Sequence, residues 1–370
     1  MKDFILPDYT RCNLNISATL AEFLGAPNKI PTLASLEREL NKNYKNVVFI
    51  CFDGLGINPL IKNLPSNDFL RRHITEILVS TFPSTTTNAT KSLLYNKYPL
   101  EHGWFGWSMY FEELNRNIDI FKNKDSLTNK PIDIIVSPLG DFDYYFDVAD
   151  SDYEINTIFP EYVVVAHPER NVVIDSIEEL GDAIKTICSK NGKQFVYAYH
   201  GEPDHAMHKF GVNGQCMKEI FENVSSTVED LYNVVSDTLF IITADHGQID
   251  IEGYVDFYND EVLMDMLKIY PYMEARAPAF LVKDGMTEQF EKYFKEKYGE
   301  DFILFPSYEL VEKGFFGNVG DKAHLLGDYV AIGTYTHKQA VFLQGQMRFK
   351  GHHTSLTEEM EVPLILLGRK

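Results

Sequence analysis

The chain has 370 residues, of which 45% are hydrophobic and 24% charged, the balance of a soluble globular protein with ample material for a large core. Its formal net charge of -20 repels phosphate backbones and anionic lipid, which argues against nucleic acid and membrane surfaces as partners. A small phosphorylated substrate stays admissible if cations gather locally.

Taken in chain order, the opening stretch MKDFILPDYTRCNLN lacks the apolar core of a signal peptide. No run approaches the ~18 apolar residues that span a bilayer. Cys12, Cys51, Cys188 and Cys216 lie far apart without a C-x-x-C pattern, so a reducing compartment is expected rather than a disulfide framework. The expectation is a cytoplasmic protein.

NVVFICF (46–52) is the first short, nearly continuous apolar run, of the kind a sheet covered on both faces requires. It runs into Asp53-Gly54. STFPSTTTNATKSLL (80–94) then crowds Ser80, Thr81, Ser84, Thr85, Thr86 and Thr87 ahead of a helical pattern. Capping accounts for one hydroxyl at a helix start, not for a row of them. Residues 104 to 160 are rich in aromatics and Asn/Asp and read as long excursions over the sheet's C-terminal edge, covering a site.

SIEELGDAIKTICSK (176–190) is a predicted helix with an acidic first turn and a basic last one. QFVYAYH (194–200) is a second buried strand, running into Glu202-Pro203-Asp204 with His208 four residues beyond the aspartate. CMKEIFENVSSTVEDLYNVVSD (216–237) has apolar residues at helical steps, and TLFIITA (238–244) is a third strand, ending in Asp245-His246-Gly247. From 250 to 350, shorter strands (APAFLVKDG, YVAIGTY, AVFLQG) and one helix (MTEQFEKYFKEKYG) suggest a smaller α+β insertion before VPLILLG (362–368) rejoins the main sheet. The predicted fold is α/β, with a mainly parallel central sheet flanked by helices on both faces. One catalytic domain over 1–370, carrying a cap-like subdomain at about 250–350, is the expected organisation.

Ligands of open α/β sheets bind beyond the carboxyl ends of the strands. One aspartate after a strand is usually a turn or a cap; three such strand ends, two with a histidine close by, are not easily coincidence. Carboxylate with imidazole is the donor set of zinc or a similar first-row divalent ion. Asp53, Asp204, His208, Asp245 and His246 are too many for one tetrahedral ion, and two ions ~3.5–4 Å apart would use them all. Two such ions also provide the positive field an acidic protein lacks. A threonine at a helix start beside a divalent ion is an activated nucleophile, and the helix end itself stabilises a phosphoryl oxygen. Which hydroxyl of the run serves is open at this point.

FICFDGLG, FPSTT…EHG, EPDHAMHKFG, TADHGQ and GHHTSLT stand in the order found in the alkaline phosphatase superfamily. The sequence most resembles its type I phosphodiesterase/nucleotide pyrophosphatase branch, especially the compact bacterial members. The resemblance runs from about residue 46 to the C-terminus, with 108–160 unmatched. It implies an alkaline-phosphatase-like fold in which Asp53, Thr86, Asp245 and His246 hold one metal and Asp204, His208 and His353 the other. Zinc is the metal implied, with manganese the alternative. Thr86 is the implied nucleophile, from matching Phe82-Pro83-Ser84-Thr85-Thr86 to the family's aromatic-Pro-x-x-Thr; Thr85 is its main rival and Thr81 a weaker one. His353 is preferred to His352 by its spacing from Leu356.

One position departs from the pattern. Nucleotide pyrophosphatases place an asparagine shortly after the HG to bind the transferring phosphoryl group, and here Trp107 stands there. Asn88 is the candidate substitute, and Trp107 the candidate surface for a nucleobase or second ester group. His205 and His352 read as supporting groups, His200 as a satisfied buried histidine, His102 as a turn residue, and Trp104 and Phe105 as core or stacking residues. No arginine or lysine occurs from Ser80 to Asn88, so the metals would carry the positive charge and leave room for a diester. The implied function is a two-metal phosphodiesterase or nucleotide pyrophosphatase working through phospho-threonine on a small phosphorylated substrate, such as a nucleotide. The alternatives are a phosphomonoesterase, a phosphonate or sulfate ester hydrolase, or a phosphoryl transferase of the same superfamily. A non-catalytic metal-binding member of the fold is the rival of another class.

Overall fold

The structure, a computed structural model, describes residues 4–132, 139–140, 142–163 and 167–370. Its central sheet has seven strands: β1 (Asn46–Phe52), β2 (Ile74–Val79), β3 (Tyr153–Pro160), β4 (Asn171–Ile174), β5 (Lys193–His200), β6 (Thr238–Thr243) and β7 (Glu361–Arg369). Their spatial order is β2-β7-β6-β1-β5-β3-β4. All neighbours are parallel except β7, which runs against both β6 and β2. Every residue of β1 and β6 is buried, which is why both read as continuous apolar runs rather than alternating ones.

Register is what builds the site. Phe52 of β1 pairs with His200 of β5, and Cys51 pairs with Thr243 of β6. The three strands therefore end side by side, and the residues that follow each of them emerge at one edge.

Helices α1 (Leu14–Phe23), α2 (Ile57–Asn63), α3 (Thr86–Tyr95), α4 (Ile177–Ser189), α5 (Asp204–Phe210) and α6 (Met217–Val234) flank the sheet. In α4 the Ser176 hydroxyl caps the helix, accepting from the Glu179 amide at 3.1 Å, and Leu180, Ile184 and Ile187 form its buried stripe. That stripe packs α4 on α6 and β5, while α1 packs on α3.

A second seven-stranded sheet is antiparallel throughout, in the order 302–306, 329–333, 277–280, 272–274, 108–111, 116–119, 124–125. The sequence reading of 104–160 as excursions is corrected here. Its first part supplies three strands to this sheet, so the second sheet does not come from 250–350 alone, and its last part is β3 of the main sheet. The reason is compositional: Tyr153–Pro160 mixes buried and exposed positions near the sheet's edge, and short, polar hairpin strands carry little periodic signal. Residues 133–138 and 141 of that segment lie outside the described residues.

Two of the contacts that join the sheets involve large buried side chains. Phe82, from the hydroxyl-rich loop, is fully buried with ring centroids 5.7 Å from Phe315 and 5.5 Å from Phe316. Arg276 and Glu359 form a wholly buried pair, Nε to Oε1 3.2 Å. The guanidinium also donates to the Lys338 carbonyl at 3.0 Å, and the same carboxylate oxygen accepts from the Ser355 amide at 3.1 Å. The Glu359 carbonyl in turn accepts from the Gly247 amide at 2.7 Å.

Candidate active site

Asp53 follows β1, Asp245 and His246 follow β6, and Asp204 opens α5 after β5, with His208 one turn further along the same face. The turns are tied to one another: the Asp53 amide donates to the His200 carbonyl at 2.9 Å, and the Asp204 amide to the Asp53 carbonyl at 3.1 Å. Gly54 permits this closeness. Its φ is +72°, and a Cβ there would lie 3.1 Å from Asp204 Cα and 2.9 Å from Met207 Cε. Thr86 is the first residue of α3, and His353 follows the short strand 351–352.

The side chains converge. His246 Nε2 lies 3.4 Å from Asp53 Oδ1 and 3.5 Å from Asp245 Oδ2, His208 Nε2 lies 3.2 Å from Asp204 Oδ2, and His353 Nε2 lies 3.9 Å from Asp204 Oδ1. The His246 and His353 rings stack at 3.9 Å. Thr86 Oγ1 sits 3.1 Å from His246 Nε2 and 3.4 Å from both Asp53 oxygens. Among the described residues, three groups have donor atoms within 4.8 Å of one another: Asp53–Asp245–His246, Asp204–His246–His353 and His208–His352–His353.

Hydrogen bonding selects the imidazole faces. His246 Nδ1 is 2.9 Å from the Gly247 carbonyl, His208 Nδ1 2.9 Å from the Gly351 carbonyl, and His353 Nδ1 3.1 Å from the Ser84 carbonyl. Each Nδ1–H donates to backbone, which turns each Nε2 toward the carboxylates, the orientation of metal-ligating histidines. Asp245 Oδ1 accepts from the Gly54 and His246 amides at 3.1 and 2.9 Å, while its buried Oδ2 accepts no hydrogen bond.

Three carboxylates this deeply buried have electrostatic consequences. Burial, then the charges of Asp204 and Asp245, push Asp53 well above the usual carboxylate range, and burial raises Asp245 as well. Burial works against ionised Asp204, but the adjacent His208 outweighs it and holds the carboxyl low. His352 and His353 are driven well below the usual range, first by burial and then by neighbouring imidazoles. Crowded carboxylates, imidazoles whose Nε2 atoms face them and a carboxylate oxygen without a hydrogen bond make a set of donors suited to divalent cations.

Thr85 and Thr81, the rivals to Thr86, face elsewhere. Thr85 Oγ1 donates to Glu274 Oε1 at 2.8 Å, and Thr81 is fully buried, accepting from Asn88 at 3.2 Å. Asn88, the candidate substitute, is turned into the fold. Its amide is committed to Thr81 and, at 2.8 Å, to the Pro83 carbonyl, and its Oδ1 is sealed from solvent. It braces the hydroxyl loop, because the first turn of α3 points it inward. Trp107 is 39% exposed, with its ring 5.8 Å from Phe121 and Lys122 Nζ 5.0 Å from its centroid. Trp104 lies 5.9 Å from Phe121, under Lys91 Nζ at 4.6 Å, whereas Phe105 is core, 5.1 Å from Phe316. His102, bonded to Ser92 Oγ at 2.9 Å and to the Trp104 amide at 3.1 Å, fixes its turn; burial lowers its pKa to about 3. His200 accepts from the Glu202 amide at 3.1 Å, and burial lowers it to about 4. His205 packs on Tyr162, ring centroids 5.6 Å apart.

Three neighbours were not singled out from sequence. The Tyr199 hydroxyl donates to Asp53 Oδ2, and burial plus the Asp53 charge keep it protonated. The Gln248 amide donates to Asp204 Oδ1; it belongs to the quoted TADHGQ, so a signal existed. Glu274 has no motif around it. Burial pushes its carboxyl up to about 7, against the opposing effect of hydrogen bonds from the Thr85 hydroxyl and the Trp107 amide.

Residues 47–301 match the family described as type I phosphodiesterase / nucleotide pyrophosphatase. No curated protein matches the sequence. Among solved structures, murine ectonucleotide pyrophosphatase/phosphodiesterase 5 is similar, with 16% identity, a TM-score of 0.62, and 87% of this chain and 88% of that chain covered; an inactive variant of it was solved in complex with AMP. Phosphonoacetate hydrolase from Sinorhizobium meliloti, solved with phosphonoacetate, is similar at 13% identity and a TM-score of 0.63, over 87% of this chain and 90% of that chain.

Proposed function

The chain belongs to the type I phosphodiesterase / nucleotide pyrophosphatase family, and from that premise we propose that it is a two-metal phosphodiesterase or nucleotide pyrophosphatase with Thr86 as its nucleophile. The observation that carries the reading is the common orientation of His208, His246 and His353. Their Nε2 atoms face the carboxylates, with the Thr86 hydroxyl 3.1 Å from one of them. Asp53, Asp245, His246 and Thr86 would hold one ion, and Asp204, His208 and His353 the other, zinc in preference to manganese. When bound, the two ions supply the positive charge that lowers the hydroxyl's pKa and offsets that of the phosphoryl oxygens.

The chain's own groups do the rest. Asp53, braced by Tyr199, lies close enough to draw the Thr86 proton. Oγ1 then bonds to phosphorus as the ester oxygen departs with its electron pair and is protonated by water. Water next cleaves the Oγ–P bond of the phospho-threonine and restores the hydroxyl. The start of α3 offers backbone amides to the phosphoryl oxygens.

Elemental analysis of metal-saturated protein should find close to two divalent ions per chain, and a plateau at one or fewer would refute the two-metal reading. Asp204→Ala and Asp245→Ala should each lower occupancy about tenfold or more at limiting metal, since each removes a charge and a donor.

Substrate class follows from what surrounds Thr86. No cation stands in the hydroxyl loop, and the exposed Trp107 ring offers a flat apolar surface to a second ester group. Aryl phosphodiesters or dinucleotide-type pyrophosphates should therefore show kcat/KM about tenfold or more above the matching monoester, and Trp107→Ala should cost a nucleotide substrate about 1–3 kcal/mol more than a small aryl diester. A second reading comes from Lys91 and Lys122, which approach the two tryptophan rings. They favour a substrate with an additional negative charge, such as a carboxylated phosphonate or a monoester. A screen of diesters, monoesters, phosphonates and sulfates at one pH and metal decides between the two.

A further inference from the structure

We propose that Glu274 is a positioning residue of the nucleophile turn: by holding the Thr85 hydroxyl it keeps the start of α3 uncapped and open to a phosphoryl oxygen. The proposal rests on the reading of Thr86 as nucleophile and deepens it.

Thr85 is the N-cap residue of α3, in the extended conformation typical of that position (φ -139°, ψ 149°). A threonine there ordinarily turns its oxygen onto the second or third amide of the helix, which here belong to Thr87 and Asn88. Helix α3 has no side-chain cap. The Thr85 hydroxyl donates instead to Glu274 Oε1 at 2.8 Å, and the same oxygen accepts from the Trp107 amide, also at 2.8 Å. One carboxylate oxygen thus fixes both the residue before Thr86 and the residue standing where the family has its phosphoryl-binding asparagine.

The backbone around Glu274 is forced into this place. Met273, buried immediately before it, has φ +78°, a left-handed conformation that is strained for a non-glycine residue and persists only where the surroundings impose it. Across from it, Gly106 approaches so closely that a Cβ would lie 2.8 Å from the Met273 carbonyl oxygen and 2.9 Å from Glu274 Cγ. Strand 272–274 and the Trp107 loop are pressed together where the carboxylate crosses between them.

Removing the acceptor frees the hydroxyl to rotate onto the helix amides, where it competes with the substrate's phosphoryl oxygens. A cap is worth about 1 kcal/mol. Glu274→Ala should therefore raise KM for an aryl phosphodiester, and the inhibition constant of inorganic phosphate, by about five- to tenfold, with less change in kcat. Glu274→Gln keeps an oxygen able to accept both bonds and should return these values to within about threefold of the original. Thr85→Val removes the competing hydroxyl, so adding Glu274→Ala to it should cost less than about twofold more. A crystal structure of Glu274→Ala should show Thr85 Oγ1 within hydrogen-bonding distance of the Thr87 or Asn88 amide.

The proposal is overturned if Glu274→Ala costs as much with Thr85→Val as without it, or if the crystal structure leaves the hydroxyl off those amides. Should the alanine variant fail to fold, Glu274→Met fills the volume without an acceptor and is read in the same way. If the unmodified protein cleaves no ester with any metal, the functional reading fails, and the Thr85 rotamer together with calorimetric phosphate binding still decides the role of Glu274.

Discussion

Thr86→Ala is expected to lower kcat/KM by at least about a thousandfold, because no other group can form the bond to phosphorus that the two-step reaction requires. The fold and most of the metal should survive, since Thr86 sits at a helix start and the carboxylates and imidazoles remain. Thr85→Ala should stay within about tenfold of the original, because it loses a hydrogen bond rather than the nucleophile. Steady-state kinetics with an aryl diester, alongside circular dichroism and metal content, make the comparison. A dead Thr85 variant beside an active Thr86 variant would move the nucleophile by one residue; unchanged turnover in both would remove it altogether.

Glu359→Ala should destabilise the protein by about 3–5 kcal/mol, the usual cost of stranding one member of a buried ion pair. Arg276 would be left charged and wholly buried, with only the Lys338 and Thr334 carbonyls and the Thr357 hydroxyl as partners. The loss should appear as a lower urea midpoint. The double replacement Arg276→Met with Glu359→Leu should recover most of it, because paired removal leaves no uncompensated charge. If the single variant unfolds at the original midpoint, the pair contributes nothing to joining the two sheets. Metal content is a second readout, since the Glu359 carboxylate also accepts from the Ser355 amide, two residues beyond His353.

The central strands were legible because burial on both faces removes every polar position, leaving NVVFICF and TLFIITA unmistakable. The candidate ligands were legible for a related reason: they follow those strands directly, and register brings the strand ends together. What escaped were the features built by distant pairings. Strands 108–111 and 272–274 meet through Ser108 and Met273, and nothing local in either stretch announces the other. Glu274 lies 189 residues from Thr85 and sits in no motif. The inward turn of Asn88 was not legible either, because sequence proximity to Thr86 says nothing about which way the first turn of a helix points.

The position of β7 has a consequence for the order in which the molecule comes together. Strand β2 is at the edge of the sheet, where the strand it pairs with is β7, from residues 361–369. On the ribosome, β1, β3, β5 and β6 are all synthesised earlier and can pair among themselves, but β2 has no place in the sheet until β7 emerges. The hydroxyl loop follows β2 directly, so Thr86, the proposed nucleophile, is seated against the sheet only after some 280 further residues have been made, a closure of long sequence separation and hence a slow one. Until then the nascent chain exposes an unpaired hydrophobic edge on β6, the kind of surface chaperones cover. A partly made molecule therefore carries carboxylates at its strand ends without the threonine in place, so the proposed attack on phosphate esters waits for the last strand.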